Sequence, residues 1–260
     1  MKTIAAMLPC YNEEPNVRPL VEKWLALVPA FQKEGYELRV FCIDDKSTDQ
    51  TLAAIRDVAE RCPERVRSIA HERNKGLGGA LNTAFDTFLA ECRPGDVCVL
   101  MDGDNTHDPV YSLSMLPLIN DGCDCVIASR YCERSRTEGV PGVRLFLSGG
   151  ARLFYTLLLN IPGVKDYTCG YRMYTYALLQ KARQTYGNGL VSRRSFACMM
   201  EALYKLSLLG ARFGEVPFEL RYDHKQGESK MRVLKTVGES IGTAFSLRFQ
   251  SHSTRKETDP

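Results

Sequence analysis

Short apolar runs alternate with longer helical patterns through the first half of the chain, and this alternation restricts the fold more than any other feature. Five runs have strand length: TIAAML, LRVFCI, VRSIA, VCVLM and CVIAS. Helical patterns lie between them, at residues 17–34, 51–61, 78–90 and 110–119. A strand–helix–strand order of this kind predicts a parallel sheet with right-handed crossovers. We therefore predict an α/β fold with a mostly parallel central sheet and flanking helices.

The second half of the chain has a different pattern and predicts mainly helices. Helical patterns cover residues 145–159, 176–183 and 194–209, FGEVPFELRY predicts a late strand, and residues 233–249 predict a closing amphipathic helix. A chain of 260 residues with 44% hydrophobic content can bury one sizeable core, which favours a single domain. We place that domain at residues 1–231, the amphipathic helix at 232–250 and a disordered tail at 251–260.

Charge and cysteine usage exclude several classes of protein. The net charge of +3 comes from 34 basic and 31 acidic residues spread along the chain, so we do not expect a nucleic-acid partner. The ten cysteines are scattered among apolar residues, which predicts reduced thiols. The amino terminus becomes polar too early for a signal peptide, and no apolar run is long enough to span a bilayer. We expect a cytoplasmic protein, with any membrane contact peripheral and on the cytosolic face.

Polar clusters follow four of the predicted strands at their carboxyl ends. They are PCYNEE, DDKSTD, DGDNTHD and SRY. In open parallel sheets the carboxyl ends of the strands share one edge, and ligands bind there. Four such clusters at one edge predict a binding site.

Two of these segments also have simple structural interpretations. In IDDKSTDQT, Ser47 or Asp49 is expected to cap the helix that begins near Thr51, whereas Asp44 and Asp45 are candidates to bind a ribose or a base. NKGLGGALNTA is rich in glycine but matches neither the dinucleotide fingerprint nor the Walker loop. Its glycines fit a tight helix entry and a backbone surface near a ligand equally well.

The segment DGDNTHDP admits three interpretations. As a helix entry it needs only Asp108, which leaves Asp102 and Asp104 unexplained. As a nucleophile loop of a haloacid-dehalogenase-type phosphatase it would need a lysine and an acidic pair downstream, but the acidic pair of this chain lies upstream. As a metal site, two carboxylates in one loop share Mg²⁺ or Mn²⁺, which keeps positions open for diphosphate oxygens. We favour the metal site.

Positive charges that suit a phosphate follow in the second half of the chain. They are Arg130, Arg144, Arg172, Arg221, Lys225 and Lys230. Arg130 follows a buried-type strand at the predicted ligand edge, and Lys230 lies in a Gly-x-Ser-Lys turn that can wrap a phosphate. We expect Arg134, Arg136, Arg193 and Arg194 to be solvated surface charges.

Seven motifs in order give the chain a specific resemblance. LPCYNEE, IDDKSTDQT, NKGLGGAL, MDGDNTHDP, ASRY, DYTCGYRMY and GEVPFELRYDHKQGESKM span residues 4–231. With them the chain resembles glycosyltransferase family 2, and within it the dolichol-phosphate or polyprenyl-phosphate mannose synthases. The resemblance implies a GT-A fold, a nucleoside-diphosphate sugar as donor, and inversion at the anomeric carbon.

The same resemblance implies roles for individual residues. Pro9, Tyr11 and Glu13 look like the pocket for the donor's base, Asp44 like a ribose or base contact, and Asp102 and Asp104 like the metal-binding Asp-x-Asp. Arg130, Arg144 and Lys230 are similar to the family's phosphate-binding cations, and Asp166, Gly170 and Arg172 match a segment near the acceptor. The family often carries arginine where this chain has His224, so that positive contact is expected to be either weakened or moved to Arg221 or Lys225.

The nature of the acceptor determines whether a general base is needed. The oxygen of a polyprenyl phosphate is already anionic and needs none, whereas a hydroxyl acceptor requires a carboxylate, for which Asp166 is the candidate. A soluble family member acting on a hydroxyl or amine of a small metabolite is the alternative. Many relatives continue into transmembrane helices after the Gly-x-Ser-Lys turn, where this chain has one amphipathic helix and a polar tail.

Overall fold

A computed structural model describes residues 1–138, 142–221, 238–239 and 241–249. The strands are β1 Lys2–Cys10, β2 Tyr36–Asp44, β3 Val66–Ala70, β4 Val97–Leu100, β5 Cys125–Ser129, β6 Arg136–Glu138, β7 Arg172–Thr175, β8 Phe213–Pro217 and β9 Glu219–Arg221. The helices are α1 Glu14–Ala26, α2 Val28–Lys33, α3 Thr51–Arg61, α4 Gly76–Glu91, α5 Tyr111–Asn120, α6 Gly142–Leu159, α7 Tyr176–Tyr186 and α8 Ala197–Leu208. A 3₁₀ turn at Gly187–Leu190 follows α7.

Within these residues, seven strands form one sheet in the order β3-β2-β1-β4-β7-β5-β8. The pairs β1–β2, β1–β4, β2–β3 and β5–β8 are parallel, and only β7 runs antiparallel to its neighbours β4 and β5. The prediction of a mostly parallel sheet with flanking helices in an α/β fold is therefore confirmed. Strands β6 and β9 pair in a separate two-stranded sheet.

The core lies on both faces of the large sheet. Residues 4–8 of β1 have no exposed surface, as expected for a central strand covered by helices on both sides. On one face Trp24 of α1 stacks on Phe31 of α2, with ring centroids 6.2 Å apart. Elsewhere Phe85 of α4 meets Tyr174 of β7 edge to face at 5.6 Å. These contacts fix the strands, and with them the loops at their carboxyl ends.

The structure corrects two of the predicted elements. The single helix predicted at 17–34 is two helices that meet at Leu27, because Pro29 has no N–H with which to continue the hydrogen-bond ladder of α1. The single strand predicted at 213–222 divides at the buried residue Phe218 into β8, which joins the large sheet, and β9, which pairs with β6. The antiparallel strand β7 was not predicted.

The described part of the carboxyl-terminal region is helical at residues 238–239 and 241–249. The remainder of the predicted helix 232–250 and the tail 251–260 lie outside the described residues, so the proposed domain boundaries stay a prediction. Among the described helices, none is both long and apolar enough to cross a bilayer.

All ten cysteines are free thiols, as predicted. Burial raises the pKa of Cys42 and Cys125 to about 12, which keeps these thiols protonated and unreactive near neutral pH.

Candidate functional site

The loops that follow β1 and β2 are tied to one another at the carboxyl edge of the sheet. Asn12 adopts a positive φ of 55°, donates its backbone N–H to Ser47 Oγ at 2.9 Å, and accepts from the Thr48 backbone N–H at 2.7 Å. The Glu13 N–H donates to Thr51 Oγ1 at 2.7 Å, and the Glu13 carboxylate accepts from Asn16 Nδ2 at 2.7 Å. The two loops therefore form one rigid wall beside the strand ends.

Three of the predicted donor-binding residues belong to this wall or lie next to it. Pro9 is the penultimate residue of β1, and Tyr11 is 39% exposed just after the strand. Asp44 ends β2 and is nearly fully buried, with its carboxylate accepting from the Ser47 N–H at 3.2 Å. Pro9, Tyr11 and Asp44 thus come together at one edge, as the sequence predicted.

Asp45 has a different environment from its neighbour. Its carboxylate accepts from the backbone N–H groups of Lys75 and Gly76, both at 2.8 Å, and lies 2.7 Å from His71 Nδ1. These partners hold the loop before α4 and the first residue of that helix against the end of β2. The predicted ligand contact of Asp45 thus competes with three contacts inside the protein, and the structure gives this side chain a structural role instead.

The glycine-rich segment at the start of α4 packs against another part of the chain. A Cβ at Gly76, whose φ is +73°, would lie 2.7 Å from the Arg194 carbonyl oxygen, and a Cβ at Gly78 would lie 1.8 Å from that of Arg193. The Gly78 N–H also donates to the Arg194 carbonyl at 3.4 Å. Of the two interpretations of NKGLGG, the structure therefore supports the tight helix entry.

The loop carrying Asp102 and Asp104 continues from β4 along β1. The Met101 N–H donates to the Met7 carbonyl at 3.1 Å, and the Gly103 N–H donates to the Pro9 carbonyl at 3.2 Å. A Cβ at Gly103 would lie 2.8 Å from that same carbonyl, so the close approach requires glycine. The loop is thereby held beside the wall formed by the first two loops.

The two aspartates of this loop have different surroundings. Asp104 accepts from the Thr106 N–H at 3.2 Å and the Thr106 hydroxyl at 2.7 Å, which fixes its carboxylate in the turn. Asp102 lies against Gly170, where an added Cβ would be 3.1 and 3.3 Å from the two carboxylate oxygens. Further along the segment, Asp108 Oδ1 accepts from the Val110 N–H at 2.9 Å in the turn before α5. The N-cap residue of α5 is Val110, so Asp108 closes the preceding turn and does not cap the helix as the sequence predicted.

These two carboxylates fit a hard divalent cation. Oxygen ligands in a polar loop suit Mg²⁺ and Mn²⁺, which commonly bind through one or two carboxylates and complete their coordination with water and phosphate oxygens. The hydrogen of Gly170 leaves room for the Asp102 carboxylate that any other residue would fill. In the described part of the chain, no group of three or more His, Cys, Asp or Glu side chains could hold a metal by itself. The remaining ligands are then expected from water and substrate.

Arg130 and Asp166 form a bidentate ion pair at the end of β5. Arg130 Nε and Nη2 donate to the two carboxylate oxygens of Asp166 at 2.8 and 2.7 Å, and Nη2 also donates to Thr168 Oγ1 at 2.5 Å. Asp166 is fully buried and accepts further bonds from the backbone N–H groups of Arg130, Thr168 and Cys169.

This environment decides what Asp166 can do. Burial is the largest single influence on its carboxyl and raises the pKa, but the charge and hydrogen bonds of Arg130, together with the backbone N–H donors, outweigh burial and hold the pKa below its ordinary value. A carboxylate that is stabilised in its ionised form is a weak proton acceptor. We therefore expect Asp166 to orient Arg130 and not to act as the general base considered from the sequence.

Arg172 is also fully buried, although the sequence suggested a contact with the acceptor. Its Nη1 donates to the Met199 carbonyl at 2.7 Å and its Nη2 to the Tyr167 carbonyl at 2.9 Å. In β7 it pairs with Leu100 of β4, directly below the aspartate loop. Because Nη1 and Nη2 are bonded to carbonyl groups of the chain and the side chain is buried, the structure gives Arg172 a structural role.

Two buttressing carboxylates were missed from the sequence. Glu215 Oε1 accepts from the Lys165 and Asp166 N–H groups at 2.6 and 2.8 Å, and so holds the loop that presents Asp166. Glu201 is buried and accepts from the backbone of Ser192 and Arg193, which fixes the segment against α4. Glu201 lies in none of the seven motifs. Glu215 lies within GEVPFELRYDHKQGESKM, but nothing in that motif indicated that its carboxylate holds the loop before Asp166.

The remaining predicted cations cannot be placed in this geometry. Lys225, Lys230 and His224 lie outside the described residues, as do the side chains of Arg144 and Arg221.

A sheet with one antiparallel strand beside β4, and an Asp-Gly-Asp loop at the end of β4, are the features of a GT-A glycosyltransferase. The model of the family "Glycosyl transferase family 2" matches residues 6–183. The chain therefore belongs to glycosyl transferase family 2 and is a glycosyltransferase.

Two similar proteins have names that include a polyprenol or dolichol lipid. The polyprenol monophosphomannose synthase of Mycolicibacterium smegmatis is 29% identical over 225 residues, which are 86% of this chain and 79% of that protein. The dolichol-phosphate mannosyltransferase of Pyrococcus furiosus is 29% identical over 246 residues, which are 94% of this chain and 63% of that protein. The chain thus spans less than two thirds of the second relative's length.

A solved structure confirms the fold. Glucosyl-3-phosphoglycerate synthase from Mycobacterium tuberculosis, in complex with Mn²⁺, uridine diphosphate and phosphoglyceric acid, superposes with a TM-score of 0.65 at 20% identity. The match covers 95% of this chain and 78% of the other.

Proposed function

We propose that this glycosyltransferase moves a sugar, with inversion, from a nucleoside-diphosphate sugar such as GDP-mannose or a UDP-sugar to a polyprenyl phosphate. The observation that carries the proposal is the Asp102–Gly103–Asp104 loop, held against the end of β1 in a chain of this family. The names of the two lipid-linked relatives support the choice of acceptor.

Asp102 and Asp104 are the residues that would hold a divalent cation in this protein. When bound, Mg²⁺ or Mn²⁺ supplies Lewis-acid charge that favours departure of the diphosphate. The chain contributes the placement of the two carboxylates, with Thr106 fixing Asp104 and Gly170 making room for Asp102. Structures of a similar fold that contain Mn²⁺ or Mg²⁺ with uridine diphosphate support this assignment.

The donor's nucleoside is proposed to bind against the wall formed by the first two loops. Tyr11 offers a partly exposed aromatic ring for a base, and the Asp44 carboxylate is an acceptor for a ribose hydroxyl. Pro9 and Glu13 shape the same surface, and the bonds between the two loops keep the wall fixed before the donor arrives. Preorganised polar groups of this kind lower the cost of ordering a ligand.

An apolar surface beside the site supports a lipid acceptor. Leu153 and Leu157 lie one turn apart on α6 and are 62% and 77% exposed, and Phe249 in the helical segment 241–249 is 69% exposed. Phe245 joins these two helices through Phe154, with ring centroids 5.7 Å apart. Exposed apolar side chains on two helices that meet through an aromatic contact are typical of a surface for a lipid chain or a membrane.

The chemistry of a phosphate acceptor suits the charges at the site. Its oxygen is already anionic, so transfer needs no proton acceptor, and the ionised, buried Asp166 is compatible with that requirement. Arg130, Arg144 and Lys230 are proposed to offset the negative charge of the two substrates. We further propose that residues 1–231 form the catalytic domain and that the helix at 232–250 provides peripheral membrane contact.

Extraction of labelled product tests the acceptor. The purified full chain is incubated with Mn²⁺, a radiolabelled donor from a panel of GDP- and UDP-sugars, and either a short polyprenyl phosphate or a panel of water-soluble hydroxyl and amine acceptors. We expect label in the organic phase only when both the metal and the lipid phosphate are present. Label transferred to a water-soluble hydroxyl or amine acceptor, with none in the organic phase, would instead identify the soluble alternative.

A further inference from the structure

Tyr131 contacts two arginine side chains from different elements. The Cζ atom of Arg130, the preceding residue, is 5.6 Å from the centroid of the Tyr131 ring. The Cζ atom of Arg152, which belongs to α6, is 4.6 Å from the same centroid. Cation–π contact with one ring therefore brings together an arginine of the β5 loop and an arginine of α6.

The two arginines differ in how their charge is balanced. Asp166 neutralises Arg130 through two hydrogen bonds and is itself fully buried. Arg152 is exposed, and no carboxylate among the described residues lies within 4.0 Å of its guanidinium. Arg130, Asp166 and Arg152 together thus carry a net charge of about one positive unit, and Arg152 is its source.

We propose that Arg152 and Arg130, which both contact the Tyr131 ring, form the binding site for the phosphate of the acceptor, in which Arg152 supplies the positive charge that Asp166 removes from Arg130. The inference rests on the proposed function, because it assigns a residue to the acceptor of that reaction. Guanidinium groups present planar pairs of N–H donors that match phosphate oxygens, and stacking on an aromatic ring limits their freedom before the ligand binds. Tyr131 acts as the positioning residue for both.

The ligand is a phosphate monoester, and the neighbouring residues favour a lipid as its source. Leu153 follows Arg152 directly and begins the exposed apolar surface on α6. A phosphate at Arg152 with an isoprenoid chain along Leu153 and Leu157 would use both features of the helix. A small phosphorylated acid would contact only the charge of Arg152 and not the apolar side chains of Leu153 and Leu157.

The test compares Arg152→Gln with Arg56→Gln, a matched change at an exposed arginine on α3. We expect the KM for a short polyprenyl phosphate to rise about tenfold or more in Arg152→Gln, with the donor KM and kcat at saturating acceptor unchanged. Arg152→Lys keeps the charge but not the planar donors. Its KM for polyprenyl phosphate is expected to lie between that of the wild type and that of Arg152→Gln. Arg56→Gln should have the acceptor KM of the wild type. Thermal unfolding should show that Arg152→Gln, Arg152→Lys and Arg56→Gln all fold.

Calorimetry with farnesyl phosphate, 3-phosphoglycerate and inorganic phosphate tests the site without turnover. Weaker binding of all three to Arg152→Gln supports a phosphate site, and a stronger wild-type affinity for farnesyl phosphate than for the other two supports the lipid source. Unchanged affinity of Arg152→Gln for all three ligands, or an unchanged acceptor KM in an active enzyme, overturns the inference. Wild-type protein that binds farnesyl phosphate but transfers no sugar would contradict the proposed function. The phosphate site would then still be supported by the calorimetry.

Discussion

Gly170 lies against Asp102, so closely that a Cβ at position 170 would be 3.1 and 3.3 Å from the two oxygens of the Asp102 carboxylate. Such contacts are tighter than carbon and oxygen normally make, and the side chain of Asp102 would have to move. The loop after Asp166 and the loop after β4 are therefore matched in shape at the point where a metal ion is proposed to bind.

Gly170→Ala should consequently alter the metal dependence of activity more than it lowers the stability of the fold. We expect the concentration of Mn²⁺ that gives half-maximal activity to rise about tenfold, because the displaced carboxylate no longer has its native position. Gly189→Ala is the matched control, since a Cβ there meets nothing within 4 Å. An unchanged metal dependence of Gly170→Ala would show that the position of Asp102 does not govern metal binding.

Asp166→Asn should lower stability, and the effect should depend on pH. Breaking a buried ion pair on one side costs about 3 kcal/mol or more. Because the folded pKa of Asp166 lies below its ordinary value of 3.8, the ion pair stabilises fully above that value and loses its effect as the pH falls through the folded pKa. The difference in unfolding free energy between wild type and Asp166→Asn should be constant from about pH 5 to 8 and shrink below about pH 4.

Denaturant titrations at several pH values measure that difference directly. A difference that grew on acidification would contradict the low pKa of Asp166. Activity gives a second readout. If Asp166 were the general base, its pKa would be raised and the wild-type rate would fall as it is protonated. If Asp166 only orients Arg130, it contributes no inflection to the pH–rate profile between about pH 5 and 8.

Much of this site could be predicted from the sequence, because a short apolar run followed by polar residues marks the end of each strand. The alternation of apolar runs and helices placed Asp44, Asp102 and Arg130 at the same edge. The pairing of Arg130 with Asp166 spans 36 residues and depends on the antiparallel strand β7, whose four residues have no distinctive periodicity. Contacts of that range depend on how elements pack, so the sequence pattern did not show that Asp166 is buried and ionised.

The glycine-rich start of α4 gives another example and a further prediction. Gly78→Ala should destabilise the protein by about 3 kcal/mol, because the added carbon would collide with the Arg193 carbonyl, a backbone atom that cannot rotate away. Thermal unfolding of this variant and of Gly189→Ala provides the comparison. A stable Gly78→Ala protein with weakened nucleotide binding would instead revive the interpretation of NKGLGG as a surface for the ligand.

The exposed surface on α6 should bind lipid. Leu157→Glu is expected to weaken association with phosphatidylcholine–phosphatidylglycerol vesicles by about tenfold, since it replaces an apolar side chain with a charge that resists transfer from water. Leu208→Glu changes a leucine that is 53% exposed on α8 and serves as the control. Flotation of vesicles with each protein measures the association. Equal flotation of both variants and the wild type would remove the support that this surface gives to a lipid acceptor.

The most direct measurement is the turnover of Asp104→Asn with its metal-dependent binding of nucleoside diphosphate. Asparagine keeps the size of the side chain and removes the charge that a divalent cation requires. We expect turnover to fall by about a hundredfold or more, and the stabilisation of the protein by GDP or UDP with Mn²⁺ in thermal shift assays to be lost, while the unfolding temperature without ligand stays near that of the wild type. Wild-type turnover in Asp104→Asn, with undiminished metal-dependent stabilisation, would contradict the assignment of Asp102 and Asp104 as the metal site.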